Sequence, residues 1–261
     1  MMKVMKRLVE IWAGVHAHAS GGLWLEEERT LLLADLHLGY GWAQRRRGQL
    51  GPLADQETSA RLAVVMEEMK PEQLVLLGDI IHAPKPAPEE RDWIRATLDG
   101  LAARTRLICL RGNHDRDVEG VPPIEYPLLE GWASERMTGL RAIHGDRLPV
   151  ALKQGERLIV GHHHPAIAIE DASGARRRVP AFLIAGAIVV LPAFSPFAAG
   201  LNVWRSIPEE IAALGGPGVE PEVIAVTGKQ AVALGPLSRL RSPGEGAYPE
   251  RFRGPNRRER M

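Results

Sequence analysis

Five short blocks of this 261-residue chain carry side chains able to hold a cation: Asp35-Leu36-His37, Gly78-Asp79, Gly112-Asn113-His114-Asp115, His144-Gly145 and Gly161-His162-His163-His164. Carboxylate, imidazole and amide oxygen make a mixed N/O donor set suited to manganese, iron, zinc or related divalent ions, and unlike a thiolate site. In an extended chain, residues two apart point to one side. Asp35 and His37 would then face a common ion, and His162 and His164 would face together with His163 turned away. Gly78 and Gly112 permit tight turns straight after apolar runs, presenting Asp79 and Asn113 at carboxyl-terminal strand ends, where open α/β sheets hold ligands. Gly-Asp alone is common. Gly-Asn-His-Asp is specific, because it places an amide, an imidazole and a carboxylate in one turn. No Ser-His-Asp arrangement competes with it.

Such blocks need strands that end on them. TLLLAD, QLVLLGD and TRLICLRGNHD begin with apolar runs that lack polar alternation, as strands covered on both faces do. Between them, Asp55 to Met69 places Leu62, Val65, Met66 and Met69 at helical spacing, and Glu89 to Leu101 does the same with Trp93, Ile94 and Leu98. GGLWLEEERTLLLAD reads as an antiparallel hairpin leading into the first block. RLIVGHHHP, AFLIAG, AIVVLP, EVIAVTG and AVALG then follow as strand upon strand, which predicts a second sheet packed on the first. The uncharged run from Val179 to Trp204 is long enough for a membrane span. Pro180, Pro192, Pro196, Gly186 and Gly200 interrupt it, so it is expected to form two buried strands in a hairpin and then a loop. The Pro-rich stretch from His82 to Glu90 is expected to be a rigid loop beside the chemistry.

Composition sets the frame for these blocks. With 45% hydrophobic and 25% charged residues the chain has the balance of a soluble globular protein with a sizeable core. Its single cysteine, Cys109, excludes an intramolecular disulfide and a cysteine-rich metal site. That favours the cytoplasm, with Cys109 a buried thiol. Lys3, Lys6 and Arg7 are not followed by an apolar stretch and cleavage signature, so no secretion signal is expected. A net charge of +1 gives no global field for a polyanion, although the 33 basic residues divide into 27 Arg and 6 Lys, and arginine contacts phosphate bidentately. Residues 1–238 are expected to form one domain. Residues 239–261, with seven Arg against three Glu, are expected to form a solvated tail.

The ordered blocks D-L-H, G-D, G-N-H-D, H and G-H-H-H resemble the calcineurin-like metallophosphoesterase superfamily, with all five present between Asp35 and His164. That resemblance implies an α/β, four-layer α/β/β/α sandwich of two mixed sheets and a dinuclear site. Asp35, His37 and His164 would hold one ion, Asn113, His144 and His162 the other, and Asp79 would bridge them. His114 would assist the leaving group, with Asp115 orienting and polarising its imidazole. Manganese is the first ion expected, with iron, zinc, nickel, cobalt and magnesium also compatible. Two such ions, roughly 3.5–4 Å apart, polarise phosphoryl oxygens and lower the pKa of a bridging water, whose hydroxide attacks phosphorus in line.

A closer resemblance extends from about Gly22 to Gly200. The stretches GGLWLEEERTLLLADLHLGYG, GDIIH, RGNHDR and RRVPAFLIAGAIVVLPAFSPFAAG are similar to the ligase-associated subgroup of DNA-repair phosphodiesterases or endonucleases. This implies a nucleotide or DNA substrate and association with a DNA ligase and a helicase. The chain departs from that subgroup at Tyr40, where a lysine is usual, and at Ser195, Ala198 and Ala199, outside the ligand positions. Substrate contacts are expected from His82, from Arg116 directly after the specific block, and from the clusters that contain Arg45 and Arg176. His163 is expected to stand behind the ligands or in solvent. His16 and His18 have metal-pair spacing with no supporting block, so they are expected to be ordinary strand residues. A homo-oligomer is compatible with the apolar Pro192-to-Phe197 segment. The competing expectations are a small-molecule phosphomonoesterase, or a nucleic-acid-binding subunit that keeps the scaffold.

Overall fold

The computed structural model describes residues 6–49, 54–115, 127–170, 176–198 and 200–240. A seven-stranded sheet contains β1 (Leu8–Trp12), β2 (Val15–His18), β3 (Leu23–Leu25), β4 (Thr30–Leu33), β5 (Gln73–Leu76), β6 (Arg106–Leu110) and β7 (Leu128–Leu129), adjacent in that order. β1 to β4 form an antiparallel meander, and β4 to β7 run parallel. The connections from β4 to β5 and from β5 to β6 carry helices, as parallel crossovers usually do. α1 (Tyr40–Arg46) and α2 (Ala54–Met69) join β4 to β5, and α3 (Pro88–Ala102) joins β5 to β6. The two helices legible from spacing thus form within one residue of their expected ends. Pro88 starts α3, where its fixed φ costs nothing, and the Glu90 carboxylate accepts the Ala87 N–H at 3.1 Å.

The second sheet holds nine strands: β8 (Trp132–Ala133), β9 (Leu140–Ile143), β10 (Arg157–Val160), β11 (Pro165–Glu170), β12 (Arg176–Ala185), β13 (Ile188–Val190), β14 (Leu201–Asn202), β15 (Glu222–Val226) and β16 (Ala231–Pro236). β9, β10 and β13 are parallel neighbours, and β12 pairs antiparallel with β11, β13 and β15. Two short helices, α4 (Glu209–Gly215) and α5 (Leu237–Leu240), cover its outer face.

Side-chain alternation builds the layers. Leu32 and Val75 point between the sheets, where they meet Ala142, Ile159, Phe182 and Val189. Their neighbours Leu31, Leu33, Leu74 and Leu76 point outward to Leu62, Val65 and Met66 of α2 and to Ile94 and Leu98 of α3. On the far side Leu158, Val160 and Val190 pack against Ile211 and Leu237. The result is the expected α/β/β/α sandwich, and each buried Leu or Ile contributes about 1.5–3 kcal/mol of transfer free energy. Cys109 is buried in the layer beneath α2 and α3, and burial pushes its thiol up to about 12.

Among the described residues no helix is long and apolar enough to cross a membrane. The uncharged run forms the inner parts of β12 and β13, as its breakers imply, and its loop crosses to the first sheet through a bridge between Ala34 and Ala193. Residues 241–261 of the expected tail lie outside the described residues.

Candidate metal centre

β4, β5, β6, β9 and β10 all end on one rim, and the five sequence blocks sit just beyond those ends. Strand alternation is not what aims the side chains there, a correction to the expectation from spacing. Asp35 (φ 56°), His37 (φ 47°), Asp79 (φ 45°), His162 (φ 63°) and His164 (φ 45°) all adopt left-handed backbone. Only two other non-glycine residues among those described, Arg29 and Lys70, share it. Such residues cost about 1–3 kcal/mol each and persist where the surroundings over-determine them. Here the loops after β4 and β5 are zipped together: Asp35 N–H donates to the Gly78 carbonyl at 3.3 Å, His37 N–H to Asp79 at 2.9 Å and Leu38 N–H to Ile80 at 2.8 Å. Glycine is needed where these loops cross. A Cβ on Gly112 would lie 2.1 Å from the Asp79 nitrogen, and one on Gly78 2.7 Å from His144 Nδ1.

The side chains form adjoining groups. Asp35, His37 and His164 present one ligand atom each within 4.8 Å of one another, and Asp79, His144 and His162 do the same. Asp35 joins the two groups, since its Oδ2 accepts the His162 N–H at 3.0 Å while Oδ1 lies 3.1 Å from His164 Nε2 and 3.9 Å from His144 Nδ1.

The donor set fits divalent cations on its own geometry. His144 Nδ1 lies 2.7 Å from the Leu77 carbonyl, which only accepts, so Nδ1 carries the proton and Nε2 of the neutral ring is a lone pair. That lone pair faces Asn113 Oδ1 at 3.1 Å and Asp79 Oδ1 at 3.4 Å. Three electron-rich atoms converging in this way repel unless a cation stands among them. Asp35 Oδ1 and His164 Nε2 face each other at 3.1 Å, and His37 Nδ1 is buried without a hydrogen-bond partner.

Electrostatics favour neutral imidazole at His37 and His162 and a charged carboxylate at Asp35. Burial drives the His37 imidazolium down to about 3, against the attraction of Asp35. Burial also lowers His162, reinforced by His144. At Asp35 burial acts upward, but the His164 hydrogen bond and the surrounding imidazoles outweigh it and hold the carboxyl below its ordinary range. His164 is raised: burial opposes the proton, and contact with the Asp35 carboxylate overcomes it.

A calcineurin-like phosphoesterase family model matches residues 28–184, a span that holds every one of these side chains. The chain belongs to that family. A crystal structure of the Pseudomonas putida nuclease MPE superposes with a TM-score of 0.61 at 23% identity, covering 87% of this chain and 98% of the other. That likeness is one of fold. A phosphoesterase from E. coli, Yfce, aligns with a TM-score of 0.40 at 19% identity over 78% of this chain and 96% of the other. No curated protein sequence matches.

In this phosphoesterase His114 and Asp115 are neighbours with separate tasks. His114 Nδ1 donates to the His82 carbonyl at 2.8 Å, which leaves Nε2 directed at the centre, 3.9 Å from Asp79 Oδ2. The polarising role expected of Asp115 is therefore filled by a backbone oxygen. Asp115 instead accepts from the amides of Gly112 (3.0 Å), Ile81 (3.1 Å) and Ile80 (3.3 Å), locking the loop after β6 to the loop after β5. Burial raises its carboxyl, and the Asp79 charge adds to the rise against these amide bonds. The Leu77 and His82 carbonyls that set both tautomers carry no signal in residue type.

His82 lies beside the centre. With His37 and His114 it forms a third group of ligand atoms within 4.8 Å, and burial, then His114, Arg47 and Arg46, bring it down to about 4. His163 belongs to none of the groups. Its ring packs edge-on to His162 at 5.1 Å, and burial followed by the His162 charge takes it to about 4. Arg45 lies over the Trp42 ring at 4.8 Å and 3.9 Å from the Asp55 carboxylate, so it braces α1 on α2. Arg176 is in β12, its side chain outside what is described, and Arg116 lies outside the described residues. A feature that spacing and residue type do not signal is the stacking of Tyr40 on Phe197, 157 positions apart in the chain.

Proposed function

We propose that this metallophosphoesterase-type hydrolase is a dinuclear phosphodiesterase of nucleic acid, working as a DNA-repair phosphodiesterase or endonuclease with manganese as its preferred ion pair. The observation that carries the reading is the convergence of two adjoining His/Asp groups on one rim, joined through Asp35. Asp35, His37 and His164 would hold one cation and Asn113, His144 and His162 the second, with Asp79 shared between them. Divalent ions bound there supply Lewis acidity toward phosphoryl oxygens and activate water at neutral pH. The chain's own residues do the rest. His144, its Nδ1 proton fixed on Leu77, offers a lone pair of set direction. His114, its Nδ1 fixed on His82, keeps Nε2 at the rim to hold and deliver a proton to a departing alkoxide. Asp115 keeps the two loops in register.

The diester assignment is supported by the sequence resemblance to the ligase-associated subgroup and by the similar fold of a protein named as a nuclease. A DNA ligase and a helicase are the partners this reading implies, acting in the cytoplasm, with residues 1–238 as the catalytic unit and 239–261 as an appended tail. Manganese-reconstituted protein is to be assayed with a simple phosphodiester, a phosphomonoester, and single- and double-stranded DNA, beside an Asp79→Asn control. Diester and DNA turnover that the control loses supports the reading. Monoester turnover without diester turnover replaces it with a phosphomonoesterase. Equal inactivity of both proteins on every substrate replaces it with a binding subunit.

A further inference from the structure

Two aromatic rings stand at the rim of the metal centre. Tyr40 and Phe197 stack with centroids 5.8 Å apart and planes at 15°, and Tyr40 also meets the His82 ring edge-on at 4.9 Å. His82 in turn stacks on His114 at 5.8 Å and meets His37 at 5.5 Å, so one continuous set of rings runs from the centre to the Tyr40–Phe197 pair. Both outer rings are part exposed, unlike Phe194 of the same loop, which is fully buried. Their backbones are tied to the ligand residues. Tyr40 N–H donates to the His37 carbonyl at 3.2 Å, while Ser195, whose Oγ accepts the Phe197 N–H at 3.5 Å, itself donates to the Asp35 carbonyl at 3.2 Å. The pair is thus held in fixed relation to the centre from two distant parts of the chain.

We propose that Tyr40 and Phe197 form a stacking subsite for a nucleobase next to the scissile phosphate. This rests on the nucleic-acid reading of the centre above and names the groups that would hold the base. A part-exposed aromatic pair on a polar rim has a partner of matching chemistry in a flat heteroaromatic ring, and stacking serves any base without reading its edge. A second consequence is directional. The base stacks beside His82 and His114, which places its nucleoside on the side where the proton is delivered.

The test uses manganese-loaded full-length protein and a trinucleotide with 2-aminopurine as one base and non-hydrolysable methylenephosphonates in place of both phosphodiesters. Base stacking quenches 2-aminopurine fluorescence. Binding to the wild type is expected to quench it, and the quench is expected to vanish with weakening of about tenfold in Tyr40→Ala and in Phe197→Ala. Tyr40→Phe and Tyr40→Trp, which keep a ring, are expected to retain both. An analogue with abasic sugars in place of its bases is expected to bind wild type and Tyr40→Ala alike. Binding without any quench, or equal affinity of the wild type and both alanine variants, overturns the stacking subsite while natural-DNA hydrolysis by the wild type leaves the nucleic-acid reading standing. Failure of every oligonucleotide to bind or turn over, with a small phosphoester still hydrolysed, overturns both.

Discussion

The chain contains two pairs of histidines at the same spacing, and they have opposite fates. His16 and His18 lie inside β2, opposite Glu10 and Leu8 of β1, and His16 also opposite Trp24 of β3. His162 and His164 lie between β10 and β11 with left-handed backbone. His18 is fully buried with a partner beside each ring nitrogen, Ser20 Oγ 2.8 Å from Nδ1 and the Glu68 carboxylate 3.3 Å from Nε2. Its imidazole caps a turn and ties the meander to α2. His164 instead points Nε2 at the Asp35 carboxylate, 3.1 Å away, and both belong with His37 to one group whose ligand atoms lie within 4.8 Å of one another. Spacing is therefore not what makes a ligand. A strand end that forces the backbone out of extended geometry, and several ligand atoms gathered within reach of one ion, make one.

The sharpest way to break that contrast is to change one residue in each region. Asp79→Asn is expected to lower kcat on a phosphodiester by about 10³-fold or more, since it weakens the charge that holds the cations. His18→Gln is expected to leave kcat within about twofold. Equal losses in the two variants would remove the distinction between ligand and structural histidine.

Metal linkage gives the next largest effect. A cation that binds only the folded state at 100 times its dissociation constant stabilises by about 2.7 kcal/mol. Manganese titration followed by thermal unfolding is expected to show that gain in the wild type and in His18→Gln, and to show most of it lost in His164→Ala. An unchanged shift in His164→Ala would sink its assignment as a ligand.

Much of this centre is legible in the amino-acid sequence because the strand ends and the ligand blocks coincide: TLLLAD, QLVLLGD and RLIVGHHH each state where the sheet stops and what waits there. The layers are legible for a similar reason, since Leu31, Leu32 and Leu33 are all apolar and a strand covered on both faces must be. What stays hidden depends on contacts remote in sequence. His144 is set by a carbonyl 67 positions away, and Asp115 spends its carboxylate on amides 34 and 35 positions away instead of on the adjacent His114. Backbone oxygens have no residue type to read. Adjacency also misleads, because Asp115 is next to His114 in the chain and its side chain turns to the other loop.

Two substitutions probe the scaffold behind the ligands. Gly112→Ala would drive a Cβ to 2.1 Å from the Asp79 nitrogen, a backbone atom that cannot swing aside as the end of a side chain would. A loss of about 1–3 kcal/mol in urea unfolding is expected, together with weaker manganese binding. Asp115→Asn leaves the shape but weakens the acceptor for three amides, with an expected cost of about 1–3 kcal/mol. Its pH–rate profile is expected to keep the wild-type limb, because the His114 partner is the His82 carbonyl. A displaced limb would return the polarising role to Asp115.

The smallest expected effect belongs to the structural histidine and is a pH dependence of stability. Burial lowers the His18 pKa in the folded protein, with Glu68 pulling the other way and losing. The folded value lies below the ordinary 6.5, so as pH falls the unfolded chain takes up the proton first. The stabilisation is whole above pH 6.5 and declines below it, by no more than about 1.4 kcal/mol per pH unit for a single proton. Glu68 is also lowered: burial acts upward, and the bonds to Arg7 and His18 outweigh it, so its contribution fades only as pH falls through the carboxylate range. The two windows separate. Urea midpoints of metal-loaded wild type and His18→Gln, measured from pH 7.5 to 5, are expected to diverge above pH 6.5 and converge toward pH 5, because glutamine removes the histidine proton and leaves Glu68 paired with Arg7. A difference that stays constant across that range would mean that His18 holds the turn by packing alone.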